Sequence, residues 1–443
     1  MTRAAVSTPT AVTPRLVGGL AVVVLTSYGL LYQLAQGRPG WTFLPAFAIF
    51  AGVSAVCRDH ASRAPMWFLL LATLTVQLPG LLIGPITSDD AWRYVWDGRV
   101  QLAGIDPCRY APLDPALAFL RDAVLFPPDG GTHINRPTVP TLYPPVGQLW
   151  FTFWSWVTPW SWGTLGVQLG AVLTVLVTTG LLARFLGRNR SWALLYGACP
   201  AVAVEAASAA HLDAVAALCL LGFGWSAARA RHWWAGLFLG LAAGLKLVPL
   251  LLIPALLRRG RWRTSLTAVT VVIGGYLPHV LAVGALVWGY LPGYWQEEGY
   301  QGDARFALLG WLPPTLRTGA ALAIAAGLAV LALVRSGREP VLVTCCWLYG
   351  AAFLVATPTY PWYALGYVVL VLMAGRLEWL AIWPAMYASA AFYAEPWAKA
   401  LPYALALAVV VTVSRTSRRR RSPAATGAGD HETTAAVRPA PPG

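Results

Sequence analysis

Long apolar stretches alternate with short polar connections along most of this 443-residue chain. The apolar segments cover residues 15–35, 41–57, 66–86, 142–158, 163–183, 191–209, 212–228, 233–257, 265–290, 317–334, 341–356, 359–374, 377–394 and 399–414. A helix of about 20 mostly apolar residues is long enough to cross the hydrocarbon core of a bilayer. The pattern therefore predicts an all-α, polytopic membrane protein, a bundle of about 11 to 14 transmembrane helices.

Two places do not fit a simple count of crossings. Segments 142–158 and 163–183 cannot both cross fully if Arg184 is cytoplasmic, so either one of them is re-entrant or that side is wrongly assigned. Segment 233–257 has basic residues at both ends, so we expect a short hairpin that turns near Lys246.

One long polar region, residues 87–141, interrupts the pattern and begins with TSDDAWRYVWDGRVQLAGIDP. Its spacing predicts an interfacial helix over residues 90–103, ended by the glycine and proline that follow. On this helix Asp90, Tyr94 and Asp97 share a face, and Trp92, Trp96 and Val100 lie on another. We expect the acids to face a cavity and the aromatic rings to face lipid. Arg93 and Asp97 stand four residues apart and are expected to pair.

Composition and charge indicate the class and the orientation. Hydrophobic residues make up 57% of the chain and charged residues only 11%, against about 25% in a soluble domain, so a membrane protein is indicated. The net charge of +14 comes from basic clusters between apolar segments, which is typical of cytoplasmic loops and does not indicate nucleic-acid binding. Ten of the eighteen acidic residues lie in two loops, 87–141 and 291–304, which we therefore place outside, with the N-terminus inside.

These assignments divide the chain into three parts. Residues 1–14 form a cytoplasmic tail, residues 15–414 a transmembrane domain whose large outer loop is 87–141, and residues 415–443 a disordered basic cytoplasmic tail. The first apolar segment has no obvious cleavage site and is expected to be retained as a helix. The six cysteines are scattered and predict neither a disulfide framework nor a zinc site.

The strongest candidate for chemistry is the pair Asp89 and Asp90, which follows the run LLIGPITS and so lies at the membrane boundary. Two adjacent carboxylates in a partly desolvated site do not both ionise freely, so one of them suits a general base. The alternative is structural, because Ser88 and Asp89 are residue types that cap the N-terminus of a helix.

Three ionisable side chains stand in apolar surroundings, where they are costly and often functional. His211 and Asp213 lie between two apolar segments, and Lys246 stands alone in GLAAGLKLVPLLLIPALL, with no acid near it in the sequence. Each has a structural alternative, a packed polar pair for His211 and Asp213 and extension to the lipid headgroups for Lys246. As functional groups, these three and Arg93 are candidates for binding a lipid phosphate.

Two further stretches contribute aromatic and polar side chains. The segment HINRPTVPTLYPPVGQ, residues 133–148, restrains a loop with prolines, either for binding or as punctuation before a helix. The segment TPTYPWYAL, residues 357–365, groups three rings around one proline. The candidates for a sugar and acceptor groove are Tyr94, Trp96, Asp97, Asn135, Tyr143, Tyr360, Trp362 and Tyr363.

An outward carboxylate, aromatic platforms and scattered cations suit the transfer of a sugar from a phosphate-bearing lipid. The carboxylate takes the proton of the acceptor hydroxyl, cations stabilise the leaving phosphate, and rings stack on the sugar. The sequence has no phosphate-binding glycine loop in a βαβ context, so a cytosolic nucleotide-sugar domain is not indicated.

Four stretches resemble, in this order, the bacterial integral-membrane glycosyltransferases of the GT-C type, and glycosyltransferase family 87 in particular. They are DDAWRYVWDGRVQLAGIDPCRYAP, INRPTVPTLYPP, AAHLDAVAAL and GLAAGLKLVPLLLIPALLRRG, within residues 66 to 375. That family includes actinobacterial polyprenyl-phosphate-mannose-dependent mannosyltransferases. The resemblance implies a multi-pass plasma-membrane enzyme that transfers a sugar, typically mannose, from a polyprenyl-phosphate donor to a glycolipid or glycan of the cell envelope, on the outer face and with inversion.

The resemblance also implies residue roles. The family's base is an Asp four residues before a Tyr in the first outer loop, which Asp90 and Tyr94 match, so Asp90 is favoured as the base. The family's His-x-Asp pattern is matched by His211 and Asp213, and its Lys before Leu-x-Pro is matched by Lys246.

Two departures from the family pattern bear on the substrate. Tyr360 stands where relatives often carry His before Pro-Trp-Tyr, and one more apolar segment than usual precedes the acidic loop, so the sugar need not be mannose. The alternative function is a transporter or flippase for a lipid-linked sugar, which would place its polar residues near the bilayer midplane in broken helices. We expect no metal or other cofactor, although the pair Asp89 and Asp90 is suited to a divalent ion.

Overall fold

The structure, a computed structural model, describes residues 11–38, 40–258, 260–299, 305–391 and 396–421. Over these residues the protein is all-helical and has no β-strand. This confirms the predicted fold class, a polytopic α-helical membrane protein. Arg259, Asp303 and most of both predicted tails lie outside the described residues.

Seventeen α-helices, joined by several short 3-10 segments, make up the described part of the chain. The first are α1 (Pro14–Ala35), α2 (Phe43–Arg63), α3 (Met66–Ile83), α4 (Asp90–Leu102), α5 (Pro145–Val157) and α6 (Leu165–Leu186). The next are α7 (Leu194–Gly197), α8 (Pro200–Val202), α9 (Asp213–Ala228), α10 (His232–Leu245), α11 (Trp262–Val283) and α12 (Leu291–Glu297). The last are α13 (Pro314–Arg335), α14 (Val341–Ala356), α15 (Ala364–Ala374), α16 (Ile382–Ala391) and α17 (Pro396–Arg421), which continues into the predicted tail.

Seven helices of the described chain are long and apolar enough to cross a membrane. An eighth crossing is added if Pro200–Ser208 and Asp213–Ala228, bent by 112° at their junction, are taken as one span. Three more apolar helices are shorter: His232–Leu245, Val341–Ala356 and Pro361–Ala374. The count from the sequence, about 11 to 14, treats every apolar run as a full crossing, whereas the structure divides several of these runs into shorter helices.

Two of the segments that did not fit the simple count of crossings, 142–158 and 233–257, form short or interrupted helices. Helix α5 has 13 residues, about 20 Å at the usual rise, which is less than the about 30 Å of a hydrocarbon core. Helix α10 ends at Leu245, the backbone is extended at Lys246, and a 3-10 helix over Val248–Leu256 packs against α10. The helix therefore breaks at Lys246, near which the turn was predicted.

The two acidic loops meet at one end of the bundle. Arg136 of the first loop forms an ion pair with Glu297 of the second, with 2.7 Å between Nε and Oε2. The backbone N–H of Tyr290 donates to the carbonyl of Thr141 over 3.2 Å. The expectation that both loops lie on the same side is thus consistent with their direct contact.

Close packing of α4 on α5 positions the first acidic loop. A Cβ at Gly98 would collide with the backbone of Phe151 and the hydroxyl of Ser155, so only glycine allows this approach. Trp96 is 1% exposed and meets Phe126 edge-on, with 5.3 Å between ring centroids. The prediction that this ring faces lipid is wrong, because the rest of the acidic loop folds back over the helix.

Candidate active site

Helix α4 begins at the carboxylate pair, as the spacing predicts. The N–H of Asp90 donates to the hydroxyl of Ser88 over 3.2 Å, so Ser88 caps the first turn. Asp89 occupies the N-cap position, but its exposed side chain makes no capping hydrogen bond. The capping alternative thus applies to Ser88, and it leaves both carboxylates available for other contacts.

Asp90 is held by polar side chains from three parts of the chain. Its Oδ1 accepts a hydrogen bond from the Asn135 amide over 2.6 Å, and its Oδ2 lies 3.5 Å from the Tyr94 hydroxyl. The Nε2 of His211 lies 3.8 Å from Oδ2. The Asp90 side chain remains 15% exposed, so it is oriented from within the protein and still open to a substrate.

His211 lies at the break between two apolar helices and is fully buried. Its ring stacks on Trp362 with 4.1 Å between centroids and 16° between planes. Tyr360 stacks on the opposite side of Trp362 at 4.6 Å. Three residues named from two separate stretches of the sequence therefore form one aromatic stack, whose histidine lies beside Asp90.

Lys246 pairs with Asp213, and the distance between Nζ and Oδ2 is 2.5 Å. The ammonium also lies 4.5 Å from the ring centroid of Tyr363, whose hydroxyl is 2.6 Å from that of Tyr294. Lys246 has no acid near it in the sequence, but the packing of α9 on α10 brings Asp213 to it. The anionic partner of Lys246 is therefore supplied by the fold and not by neighbouring positions in the sequence.

The predicted pair of Arg93 and Asp97 is confirmed, and it is buried. Their Nε and Oδ1 atoms are 2.9 Å apart, with the side chains 4% and 2% exposed. The other nitrogens of Arg93 donate to the carbonyls of Arg136 and Val139, and Asp97 also accepts from the hydroxyl of Thr141. This cluster ties α4 to the second half of the acidic loop, which carries Asn135 back to Asp90.

The rings of Tyr94, Tyr143 and Phe151 pack together next to Asp90. Tyr94 stacks on Phe151 with 4.4 Å between centroids, and Tyr143 meets Tyr94 edge-on at 5.0 Å. Burial first, and then the charge of Asp90, raise the pKa of both hydroxyls above their ordinary value of 10. Both side chains are therefore neutral hydroxyls that can donate to a carboxylate or a sugar.

A second ionisable contact joins the acidic loop to α11. The Nδ1 of His279 lies 2.7 Å from the Oδ2 of Asp106, and the Oδ1 of Asp106 accepts a hydrogen bond from the backbone N–H of Cys108. Burial opposes ionisation of Asp106, but these hydrogen bonds outweigh it and lower the pKa of that carboxyl below 3.8.

Among the described residues, no group of three His, Cys, Asp or Glu side chains is arranged to share a metal ion.

Sequence reasoning missed two residues that the structure brings to the site. Glu205 lies with an Oε2 atom 3.0 Å from Nδ1 of His211, and Tyr294 of the second acidic loop reaches Tyr363. An acid inside an apolar run, six residues before a histidine, is the available signal for Glu205. No local signal identifies Tyr294, because its contact depends on how the two loops meet.

Comparison with known families gives a partial match. The model of glycosyltransferase family 87 matches residues 141–358, and this indicates a glycosyltransferase. The matched range includes Tyr143, His211, Asp213 and Lys246, whereas Asp90 lies before it and Tyr360, Trp362 and Tyr363 lie after it. No curated protein and no solved structure matches the chain.

Proposed function

We propose that this chain is a membrane glycosyltransferase that moves a sugar, with mannose as the first candidate, from a polyprenyl-phosphate donor to a cell-envelope glycolipid or glycan. The reaction would take place on the outer face of the plasma membrane. The observation that carries the proposal is the placement of Asp90, which Asn135 and Tyr94 orient at the start of α4, beside His211. The family match over residues 141–358 supports a sugar-transfer reaction.

In the proposed reaction Asp90 is the general base. Its carboxylate takes the proton of the acceptor hydroxyl as that oxygen bonds to the anomeric carbon. The bond from the anomeric carbon to the phosphate oxygen breaks, and its electron pair leaves with the lipid phosphate. Attack from the face opposite the phosphate inverts the anomeric centre, so a β-linked donor gives an α-linked product. Asp89, which precedes Asp90 in the sequence and is exposed, is our candidate for a residue that assists the base.

Lys246 is our candidate for binding the donor phosphate. Its side chain is 17% exposed, and Asp213 and the ring of Tyr363 hold the ammonium in place. An anion arriving here would meet a cation already fixed in position, which stabilises the charge of a leaving phosphate. We assign Arg93 and Asp97 a positioning role instead, because their side chains are only 4% and 2% exposed and the remaining nitrogens of Arg93 bind carbonyls of the acidic loop.

Aromatic side chains are our candidates for the walls of the substrate groove. Tyr360 stacks on Trp362 and meets Tyr363 edge-on, and Tyr363 contacts Lys246. Tyr143 packs edge-on against Tyr94, the residue whose hydroxyl contacts Asp90. We assign Trp96 no direct contact with the substrate, since its ring is buried and packs on Phe126 of the acidic loop. Where relatives often carry His, Tyr360 supplies a flat ring suited to stacking on a sugar face.

The proposal is tested with purified protein, radiolabelled polyprenyl-phosphate mannose and a cell-envelope lipid extract. We expect the label to appear in an acceptor lipid or glycan, and a parallel set of donors with other sugars identifies the preferred one. A transporter would move the label across reconstituted vesicles without forming a new product. Absence of product with every donor, together with such movement, would overturn the proposed function.

A further inference from the structure

We infer that Glu205, together with Tyr387, positions His211 so that the second ring nitrogen of the histidine faces Asp90. The inference rests on the proposed role of Asp90 and deepens it, since it assigns His211 to proton handling rather than to the donor phosphate. The geometry that carries it is a buried line of side chains from Tyr387 through Glu205 and His211 to Asp90.

The backbone around Glu205 is built unusually. Residues Ala203–Ser208 form a π-helix turn, a form that is rare and is found often at functional sites. Ala210 follows with a φ of 54°, a left-handed conformation that is strained for any residue with a side chain. The N–H of His211 then donates to the carbonyl of Glu205 over 2.9 Å. This turn brings the Glu205 carboxylate beside the histidine ring.

The side chains are arranged as a buried series. The Oε2 of Glu205 lies 3.0 Å from Nδ1 of His211, and these side chains are 2% and 0% exposed. The hydroxyl of Tyr387 donates to the other oxygen of Glu205 over 2.7 Å. The approach of Nδ1 to Glu205 is close but poorly aligned for a hydrogen bond. Such contacts often tighten only when a substrate is bound.

This arrangement decides which nitrogen of His211 carries the proton. A carboxylate beside Nδ1 favours the proton on that nitrogen, which leaves the lone pair of Nε2 directed at Asp90, 3.8 Å away. After Asp90 has taken the proton of the acceptor, Nε2 can receive it, and Glu205 stabilises the imidazolium from the far side. Once the product has left, the proton returns from Nε2 to Asp90, whose side chain is 15% exposed, and passes from there to solvent, so that both side chains are ready for the next acceptor.

The same geometry argues against His211 as a ligand of the donor phosphate. Both ring nitrogens face carboxylates, and Trp362 covers one face of the buried ring. Placing an ionisable side chain at membrane depth costs free energy, which packing alone does not require of a glutamate. A role in holding the histidine accounts for the position of Glu205.

The test is the variant Glu205→Gln, which removes the negative charge of the side chain and keeps its shape. We expect Glu205→Gln to lower kcat about 10- to 100-fold while the KM for the donor stays within about twofold of wild type. The matched control is Glu378→Gln, another largely buried carboxylate, which pairs with Arg376 away from the site and is expected to leave kcat unchanged. Tyr387→Phe removes one hydrogen bond to Glu205 and is expected to lower kcat to a smaller degree.

The outcomes separate this inference from the proposed function. Normal kcat in both Glu205→Gln and Tyr387→Phe, or a raised KM with unchanged kcat, overturns the inference while sugar transfer by the wild type still supports the enzyme. If Glu205→Gln does not fold, the kcat of Tyr387→Phe decides, because that variant keeps the carboxylate in place. Absence of transfer by the wild type would instead count against the proposed function.

Discussion

The pair formed by Lys246 and Asp213 gives a prediction whose size follows from the structure. The two side chains are 17% and 8% exposed, and the ion pair spans 2.5 Å. Removing one partner of a buried pair leaves the other charge uncompensated, which costs about 3 to 5 kcal/mol. Lys246 keeps the ring of Tyr363 at 4.5 Å and some access to solvent, and a cation–π contact is worth about 0.5 to 2 kcal/mol. We therefore expect Asp213→Asn to destabilise the protein by about 2 to 4 kcal/mol.

The assay is a double-mutant cycle of unfolding free energies in mixed detergent micelles. It compares Asp213→Asn, Lys246→Met and the double variant with wild type. Because each single variant leaves an unpaired charge that the double variant does not, the double variant is expected to lose less than the sum, with a coupling of more than about 1 kcal/mol. Additivity within about 0.5 kcal/mol would refute the reasoning, since it would mean that the two groups do not interact.

Three further predictions follow from single contacts. Asn135→Ala removes the 2.6 Å hydrogen bond that orients Asp90 and is expected to lower kcat about tenfold in a steady-state transfer assay, with intact folding by thermal unfolding. Gly98→Ala forces a Cβ onto the backbone of Phe151 and is expected to cost about 1 to 3 kcal/mol of unfolding free energy, and wild-type stability would contradict the close packing. Because the pKa of Asp106 is lowered below 3.8, its contribution to stability is present above that value and is lost as the pH falls through the lowered pKa; the stability gap between wild type and Asp106→Asn should therefore close in acid.

Local spacing was enough to predict the helix that carries Asp90, the proposed base. The expected limits of 90–103 agree with the observed Asp90–Leu102, and the expected pair of Arg93 and Asp97 forms. Both features depend on residues three or four positions apart, which the helix itself brings together. The outward orientation of Trp96 was predicted by the same logic and is wrong, because a helix pattern does not reveal which distant segment covers a face.

Contacts between distant segments were beyond sequence reasoning. Lys246 and Asp213 are 33 residues apart, and Asn135 and Asp90 are 45 apart. Glu205 reaches His211 only because a π-helix turn and a left-handed Ala210 reverse the chain between them. No hydrophobic period predicts such a turn. The sequence therefore suggested which residues belong to the site, but not which of them contact one another.

The most direct test of the central claim is a single-turnover transfer assay on Asp90→Asn, with Asp129→Asn as the matched control. Asp129 is an exposed aspartate of the same acidic loop, and it accepts only a local hydrogen bond from Gly131. We expect Asp90→Asn to lose at least about 100-fold in rate while it still binds the donor, and Asp129→Asn to match wild type. Transfer by Asp90→Asn at the wild-type rate would contradict the assignment of Asp90 as the base.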